Sequence, residues 1–292
     1  MFKKIAIKTG VLTTVFILAV IVSSYVTNRG NTDMSADMGG ATLPRISFMT
    51  EGYEVNSLPG YKSDMTLTSM RDTLTPVTNN QLDMNIAKYD NQIQKVYWQV
   101  YTLNGKKCIQ EGTIKDVQDT VTLNFKNTKI LKEERILKVT LYLDNQNIYF
   151  YTRIKNSADC NYKKSLDFAN DFHNAALENQ GDKVESYLET DSSEDSSTYQ
   201  EVTLASTQSQ VTWGSLAPQV SGNVYWEIKE CNENYTSLVL KYQVKCTGDT
   251  DYADRLYSVK EFFRIPIFSM KKLTVTKDCY FILCNNNIWL AR

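Results

Sequence analysis

The feature that most constrains this chain is an uncharged apolar stretch close to its N-terminus. It covers residues 10–26, is dominated by Val, Leu, Ile and Phe, and follows Lys3, Lys4 and Lys8. A stretch of this length is at the short end of those that cross a bilayer as a helix. Because three lysines precede it and only Arg29 follows soon after, the positive-inside rule predicts a cytoplasmic N-terminus and a body outside the cytoplasm.

A cleaved secretory signal peptide has the same order of charged and apolar residues. The residues at the end of the stretch must therefore distinguish an uncleaved anchor from a signal peptide. Signal peptidase prefers small residues in an A-x-A-like pattern. The sequence VSSYV at residues 22–26 fits that pattern weakly. We therefore predict a cytoplasmic tail and uncleaved single-pass anchor over residues 1–26, with cleavage near Ser24 as the alternative.

The charge balance argues against a nucleic-acid partner. Lys and Arg total 32 and Asp and Glu total 33, so the chain lacks the basic excess that phosphate binding needs. Apolar residues make up 42% of the chain, which is an ordinary globular content. Six cysteines lie beyond the anchor, at positions 108, 160, 231, 246, 279 and 284. None forms a C-x-x-C pair, which excludes a zinc ribbon or thioredoxin-type motif and leaves every disulfide pairing open.

Two regions of different composition follow the anchor, a polar spacer and a segment rich in strand patterns. Residues 27–42 are rich in Gly, Ser, Thr, Asn and Asp without a hydrophobic period, and they predict a flexible spacer. Residues 43–156 then show strand patterns separated by turn residues. The predicted strands lie near residues 45–49, 80–88, 93–101, 107–115, 119–125, 136–143 and 148–154. About seven strands in about 110 residues predict an all-β immunoglobulin-like sandwich.

The last two of these strands predict a hairpin with its turn at residues 144–147. In that register Leu137, Val139, Leu141 and Leu143 face the core and pair with Ile154, Thr152, Phe150 and Ile148. Side chains alternate across a strand, so the other face carries tyrosines and a cation. These candidate binding residues are Tyr142, Tyr149, Tyr151 and Arg153, with Tyr97 and Tyr101 on the matching face of their strand. Aromatic residues and Arg are enriched at binding hot spots, and flat rings also stack on sugars; the alternative is that a second domain covers this face.

The second half predicts an α+β domain over residues 157–292, with a helix against an antiparallel sheet. Residues 165–178 have a helical period that gathers Phe168, Phe172 and Ala176 on one face. A second helix is predicted over residues 182–188. Strand patterns follow near residues 200–206, 223–231, 237–246, 256–265, 272–276 and 279–291.

This order of elements resembles the cystatin-like or nuclear transport factor-like cone, in which a sheet curls around a helix. The chain as a whole resembles a group of membrane-anchored extracytoplasmic proteins of gut gram-positive bacteria that has no assigned activity. The segments that carry this resemblance are LPRISFMTEGYEVNSLPGY, MRDTLTPV, DFHNAALENQ and QSQVTWGSL. The resemblance implies an anchored envelope protein and implies no activity.

His173 is the only histidine, so any histidine-dependent catalysis would have to use it. Its helical position lies inside the apolar face, which favours a boundary or core histidine that is hydrogen-bonded to the backbone. The alternative is a base that lines a pocket between the helix and the sheet, as in cones that hold ligands there.

Other candidate chemistry is weak. Asp249, Asp251 and Asp254 resemble the start of a calcium loop, but Lys260 stands where the loop needs its final Glu. The acidic, serine-rich residues 189–198 are typical of a solvated linker. Because no nucleotide, zinc-protease or serine-hydrolase motif is present, the sequence predicts neither a cofactor nor a metal.

Three hypotheses for the function remain. The first is a non-enzymatic envelope protein that docks a partner protein or a cell-wall glycan. The second is an enzyme or small-ligand binder with a pocket near His173. The third is a structural subunit of a membrane complex.

Overall fold

The apolar N-terminal stretch forms helix α1, Phe2–Asn28, in the computed structural model of the chain. Its segment Ile7–Tyr25 is long and apolar enough to cross a membrane, judged by length and composition. A signal peptide passes the same test, so the uncleaved anchor stays a prediction. By its internal contacts the chain forms two compact units, and the body comprises residues 41–283 and 288–292. The structure describes residues 2–28, 43–126, 128–188, 208–248, 256–267, 274–281 and 290–291.

The described part of the body contains fourteen strands in two sheets. In chain order they are β1 (Arg45–Thr50), β2 (Tyr53–Pro59), β3 (Leu74–Val77), β4 (Gln81–Ala87), β5 (Ile93–Thr102), β6 (Cys108–Ile114), β7 (Thr120–Asn124), β8 (Arg135–Leu143), β9 (Asn147–Asn156), β10 (Pro218–Cys231), β11 (Tyr235–Cys246), β12 (Leu256–Pro266), β13 (Thr274–Phe281) and β14 (Leu290–Ala291). One sheet has nine strands in the order β14-β13-β12-β11-β10-β2-β1-β4-β7, and the other has five in the order β3-β9-β8-β5-β6.

The β-rich body, its two sheets and the later helices agree with the sequence analysis, whereas the immunoglobulin-like form is not confirmed. All seven strands predicted before residue 156 are present, as β1 and β4 to β9. Two further strands in this region, β2 and β3, were not predicted, because they contain Asn56, Pro59 and Pro76, residue types that strands normally disfavour. The nine-stranded sheet takes strands from both sides of residue 156.

The helices of the second half lie close to their predicted positions. They are α2 (Tyr162–Leu177), α3 (Gly181–Tyr187) and the short α4 (Gln208–Val211). Helix α2 buries its apolar face, and the ring of Phe172 meets that of Phe263 in β12 edge-on at 5.9 Å. It therefore packs against the antiparallel strands that follow it in sequence. Strand β13 extends across the gap between the predicted strands at 272–276 and 279–291. The predicted strand 200–206 and most of the spacer lie outside the described residues.

The core is one continuous cluster with contributions from both sheets and from α2. Strand β4 shows how the sequence specifies it, because the buried residues Leu82, Met84 and Ile86 alternate with exposed or partly exposed residues. Phe48 and Phe150 are among the largest fully buried side chains. Burial of such apolar surface is the main source of stability for a β-rich body of this kind.

The hairpin formed by β8 and β9 has the predicted faces but a different register. Val139 pairs with Phe150, and Leu141 pairs with Ile148, two positions away from the predicted pairing. The amide of Leu143 donates to the carbonyl of Gln146 at 3.0 Å, so the loop is two residues shorter than predicted. Since a slip of two residues preserves the side-chain alternation, the tyrosines keep their predicted face.

Asn56 joins three strands at the place where the two sheets meet. It is fully buried, in β2, and has a positive φ of 53° beside an irregular pairing of β1 with β2. Its side-chain NH₂ donates to the Leu74 carbonyl at 2.9 Å and to the Thr75 hydroxyl at 2.8 Å, both in β3. Its side-chain oxygen accepts from the amide of Ile228 in β10 at 2.8 Å. The side chain therefore satisfies buried polar groups of both sheets.

We predict that Asn56→Ala lowers the free energy of unfolding by about 3 kcal/mol more than Asn79→Ala, because it leaves buried backbone groups without their partner. Asn79 is the matched control, since it has a similar positive φ of 52° but is exposed. Urea unfolding of the two variants measures the difference. Equal losses would show that backbone conformation, rather than the buried hydrogen bonds, makes Asn56 important.

Candidate functional site

The outer face of the five-stranded sheet carries the tyrosines singled out from the sequence. Tyr97 pairs across the strands with Thr140, which in turn pairs with Tyr149, so two rings flank one threonine in a single row. Tyr142 lies in the next row, opposite Lys95. The buried residues of β5 alternate with these positions, which confirms that the tyrosines lie on the face away from the core.

A covering segment, residues 60–73, crosses part of this face between β2 and β3. Tyr61 exchanges two backbone hydrogen bonds with Tyr149, both at 2.9 Å, and its ring lies 6.1 Å from that of Tyr151. A side chain at Gly60 would clash with Ile148, so only glycine allows the chain to approach β9 this closely. The sequence does not predict this segment, because residues 60–73 have no strand or helix period.

The covering segment removes Tyr151 from the accessible surface. The Tyr151 hydroxyl donates to Asp64 at 2.7 Å and accepts from the amide of Met65 at 2.8 Å, and the side chain is 5% exposed. Burial raises the pKa of Tyr151 well above its ordinary value. Lys138 also contacts Asp64, at 2.5 Å. Burial raises the pKa of Asp64, but the hydrogen bonds from Lys138 and Tyr151 outweigh it and lower the pKa below its ordinary value.

The part of the sheet that the covering segment leaves accessible is called the tyrosine face here, and it consists of Tyr97, Tyr142 and Tyr149 with Lys95 and Lys138. All five are partly exposed. The Lys95 ammonium lies 4.1 Å from the ring centre of Tyr142, and that of Lys138 lies 5.2 Å from the ring centre of Tyr149. Such cation–π contacts hold each ammonium group against the face of a tyrosine ring on this side of the sheet.

Tyr97 has a polar partner, Glu111, within reach of the tyrosine face, whereas the predicted binding residues Tyr101 and Arg153 lie outside that face. The hydrogen bond from Tyr97 to Glu111 raises the pKa of Tyr97 to about 12. Tyr101 lies further along β5, where burial raises its pKa. Arg153 donates to Glu134 at 2.8 Å and to the carbonyl of Lys229 in β10. Arg153 therefore ties the two sheets together, and its guanidinium is engaged within the body.

His173 belongs to a buried polar cluster between α2 and the sheet. Its Nδ1 lies 3.2 Å from one carboxyl oxygen of Glu261 in β12, and the hydroxyl of Tyr242 in β11 donates to the other at 2.8 Å. The rings of His173 and Tyr242 meet edge-on with their centres 4.6 Å apart. His173 is 3% exposed and Glu261 is 1% exposed, so water has little access to the cluster.

A histidine held by a carboxylate is the arrangement that orients a general base, but catalysis also needs access for a substrate. Three clefts formed by described residues have volumes of about 570, 580 and 440 Å³. Neither His173 nor Glu261 lines any of the three, and Tyr242 lines the smallest. The geometry is therefore that of a satisfied polar network inside the core.

Sequence reasoning missed Glu261 and Tyr242 as the partners of His173. The pattern that could have found Glu261 is the alternation of β12, because the acid occupies a buried position between Val259 and Phe263. A carboxylate at a buried strand position needs a polar partner. The single buried histidine was the natural candidate.

Metal and calcium chemistry receive no support from the described residues. In the part of the chain that the structure covers, no group of three or more His, Cys, Asp or Glu residues could hold a metal ion. The acidic positions 249, 251 and 254 and the acidic linker at 189–198 lie outside the described residues.

Comparisons with protein families, with curated proteins and with solved structures found no match. The resemblance to anchored envelope proteins and to the cystatin-like cone therefore stays a prediction from the sequence.

We predict that Glu261→Ala lowers the free energy of unfolding by about 3 kcal/mol, whereas Glu261→Gln lowers it by about 1 kcal/mol or less. The glutamine keeps an oxygen for Tyr242 and an amide group for His173, while alanine supplies neither and leaves a cavity. Urea unfolding measures the free energy of unfolding of both variants. Lys260→Ala, at the exposed neighbouring position, is the control. If glutamine is as damaging as alanine, the negative charge of Glu261 is what stabilises the cluster, and its hydrogen bonds to His173 and Tyr242 do not explain the loss.

Proposed function

We propose that this chain is a membrane-anchored docking protein, with its body outside the cytoplasm and a protein partner of the cell envelope bound on the tyrosine face. The immunoglobulin-like form of residues 43–156 is part of this proposal. So is the orientation of α1, for which Lys3, Lys4 and Lys8 before the apolar stretch are the support.

The observation that carries the proposal is the tyrosine face itself. Tyr97, Tyr142 and Tyr149 are partly exposed side by side on a regular sheet, although the chain already uses the covering segment to bury Tyr151 next to them. Contiguous exposed aromatic surface on a folded body is typical of an interaction site. Tyrosine loses little conformational entropy on binding and combines an apolar ring with a polar hydroxyl, which suits it to a protein interface.

A protein partner fits this face better than a glycan. Stacking on a sugar requires an open ring face, and the ammonium groups of Lys95 and Lys138 already occupy one face of the Tyr142 and Tyr149 rings. A protein surface can instead engage the ring edges and pair an acidic group with Lys95, since Lys138 already pairs with Asp64. The partner we expect therefore presents an apolar patch beside a carboxylate.

The enzyme alternative has weaker support. His173 is the only histidine, and its Nδ1 is directed at Glu261 within the core. A structural subunit of a membrane complex would use the same tyrosine face in a permanent contact. The two alternatives therefore share the binding surface and differ in how long the contact with the partner lasts.

We predict that replacing Tyr142 and Tyr149 together by Ser weakens partner binding at least tenfold and leaves the fold intact, because hot-spot aromatics each contribute about 2 kcal/mol. A photo-reactive residue at Gln99, which lies in β5 next to Lys138, would capture the partner in native membranes. The double substitution should abolish that capture.

Two controls make this result specific. A photo-reactive residue at Thr122, exposed in β7 of the other sheet, should not capture the same protein. Replacing Tyr89 and Tyr225, which are 49% and 37% exposed elsewhere on the body, should leave capture at Gln99 unchanged. Capture that survives the Tyr142 and Tyr149 substitutions, or that fails equally with the control pair, would overturn the proposed face.

A further inference from the structure

A cleft of about 440 Å³ lies in the nine-stranded sheet at the place where the pairing of β10 with β11 is interrupted. Ser221 pairs with Gln243 and Tyr225 pairs with Lys241, so three residues of β10 lie opposite one residue of β11. Gly222 begins the interruption with a positive φ of 82°, a conformation that glycine adopts without steric cost. Such a bulge bends its strand, and bulges are over-represented next to active sites. The cleft is therefore a candidate ligand site.

The cleft contains a row of neutral polar side chains. Ser221, Gln243 and Ser258 occupy paired positions of β10, β11 and β12, so their side chains lie side by side on one face of the sheet. Gln243 is exposed between two buried residues, Tyr242 and Val244, which identifies this face as the one turned to solvent. Directly paired side chains on neighbouring strands lie about 5 Å apart, so the row is about 10 Å long.

The polar groups of this row are available to a ligand. Within the part of the chain that the structure describes, the side chains of Ser221, Gln243 and Ser258 make no hydrogen bond to one another or to other residues. Elsewhere on the solvent side of the same sheet, polar side chains satisfy each other. The hydroxyl of Thr122 in β7, for example, donates to Asp83 in β4 at 2.6 Å. The row in the cleft instead keeps its donors and acceptors for a bound molecule.

Asn223 and Tyr225 add a carboxamide and a phenol hydroxyl to the lining of the cleft. The amide of Asn223 lies 3.5 Å from the Tyr225 hydroxyl, and the guanidinium of Arg45 lies 5.8 Å from the centre of the Tyr225 ring. Contacts from two sides thus restrain the ring, and the cleft offers further neutral donors and acceptors beside the row.

The charge next to the cleft is balanced within the protein. Lys241 is the one charged residue among the described residues that line the cleft, and its ammonium pairs with the carboxylate of Glu227. Lys229 pairs with Glu227 at 2.8 Å and also with Asp72. Two lysines and two carboxylates therefore neutralise each other. An anionic ligand would have to compete with Glu227 for Lys241, and an apolar ligand would leave the polar row without partners.

We propose that this cleft binds a neutral oligosaccharide. A sugar hydroxyl both donates and accepts hydrogen bonds, as do the hydroxyl of serine and the carboxamide of glutamine, so the row can satisfy successive hydroxyls of linked sugar rings. An acetamido group on a sugar would find the complementary carboxamides of Gln243 and Asn223. The cleft volume lies within the range of about 300 to 1,000 Å³ that is usual for small-ligand sites. Because the tyrosine face belongs to the five-stranded sheet, the two surfaces are separate.

The test measures the binding of three trisaccharides to the purified full-length chain, in a detergent without a sugar head group. Chitotriose and maltotriose are neutral, whereas trigalacturonate carries a carboxylate on each ring. Saturation-transfer NMR detects binding, and titration gives the dissociation constant. We expect at least one neutral trisaccharide to bind with a dissociation constant below about 1 mM, and trigalacturonate to bind more weakly. Failure of both neutral sugars to bind, or equal or tighter binding of trigalacturonate, would overturn the proposal.

A matched pair of variants locates the site. Gln243→Ala should weaken binding of the neutral sugar at least tenfold, because Gln243 lies at the centre of the row. Gln81→Ala is the control, since Gln81 is an exposed glutamine of β4 in the same sheet whose amide donates to Asn124 at 3.1 Å. The control should bind the sugar as the unsubstituted chain does. Equal binding by the two variants would place the sugar elsewhere and contradict the proposal.

Two further variants complete the test. Ser258→Ala removes a second group of the row and should also weaken binding, so the site remains testable if Gln243→Ala fails to fold. Replacement of Tyr142 and Tyr149 together by Ser should leave sugar binding unchanged, because these residues lie on the other sheet. The sugar site and the docking function can therefore fail independently.

Discussion

The body depends on how its buried backbone groups are satisfied where β2 meets β10 and β3. Strands β2 and β10 pair at a single position, so no regular ladder continues between them. The carboxamide of Asn56 takes the place of that ladder, because it bonds β3 on one side and the amide of Ile228 on the other. A buried amide or carbonyl without a partner costs about 1 to 3 kcal/mol. One polar side chain therefore couples two sheets whose strands are far apart in sequence.

The same junction determines which part of the outer sheet stays accessible. The covering segment begins where β2 ends and finishes where β3 begins, so the attachment of those two strands fixes both of its ends. Near its C-terminal end, the carbonyl of Thr73 accepts from the amide of Arg153 at 2.9 Å, and the Thr73 and Thr152 hydroxyls lie 2.9 Å apart. The segment buries Tyr151, whereas Tyr142 stays partly exposed. The extent of the tyrosine face is thus a consequence of the strand junction.

The sequence predicts most of what depends on local pattern. Alternation identifies β4, β5 and β8, and the helical period identifies α2, because each pattern reflects burial of one face. Strand β2 escapes this reasoning, since Asn56 occupies a strand position for the sake of hydrogen bonds with residues far along the chain. The hairpin of β8 and β9 shows the same limit: alternation defines the faces but not the register, which the length of the turn decides.

The candidate sites also divide into features that local sequence pattern predicts and features that depend on residues far apart in the chain. The faces of Tyr142 and Tyr149 and the apolar position of His173 could be predicted from period alone. The burial of Tyr151 could not, because the covering segment has no period of its own.

We propose that an anchored body presents the tyrosine face outside the cytoplasm. Labelling of Cys108 with a membrane-impermeant maleimide in intact cells tests it directly, because this cysteine is exposed on β6 of the same sheet. A Cys108→Ser variant identifies the labelled site. The account predicts labelling of the membrane-bound chain before permeabilisation, and loss of that label in the variant. Labelling of Cys108 only after permeabilisation would place the body in the cytoplasm and contradict the account.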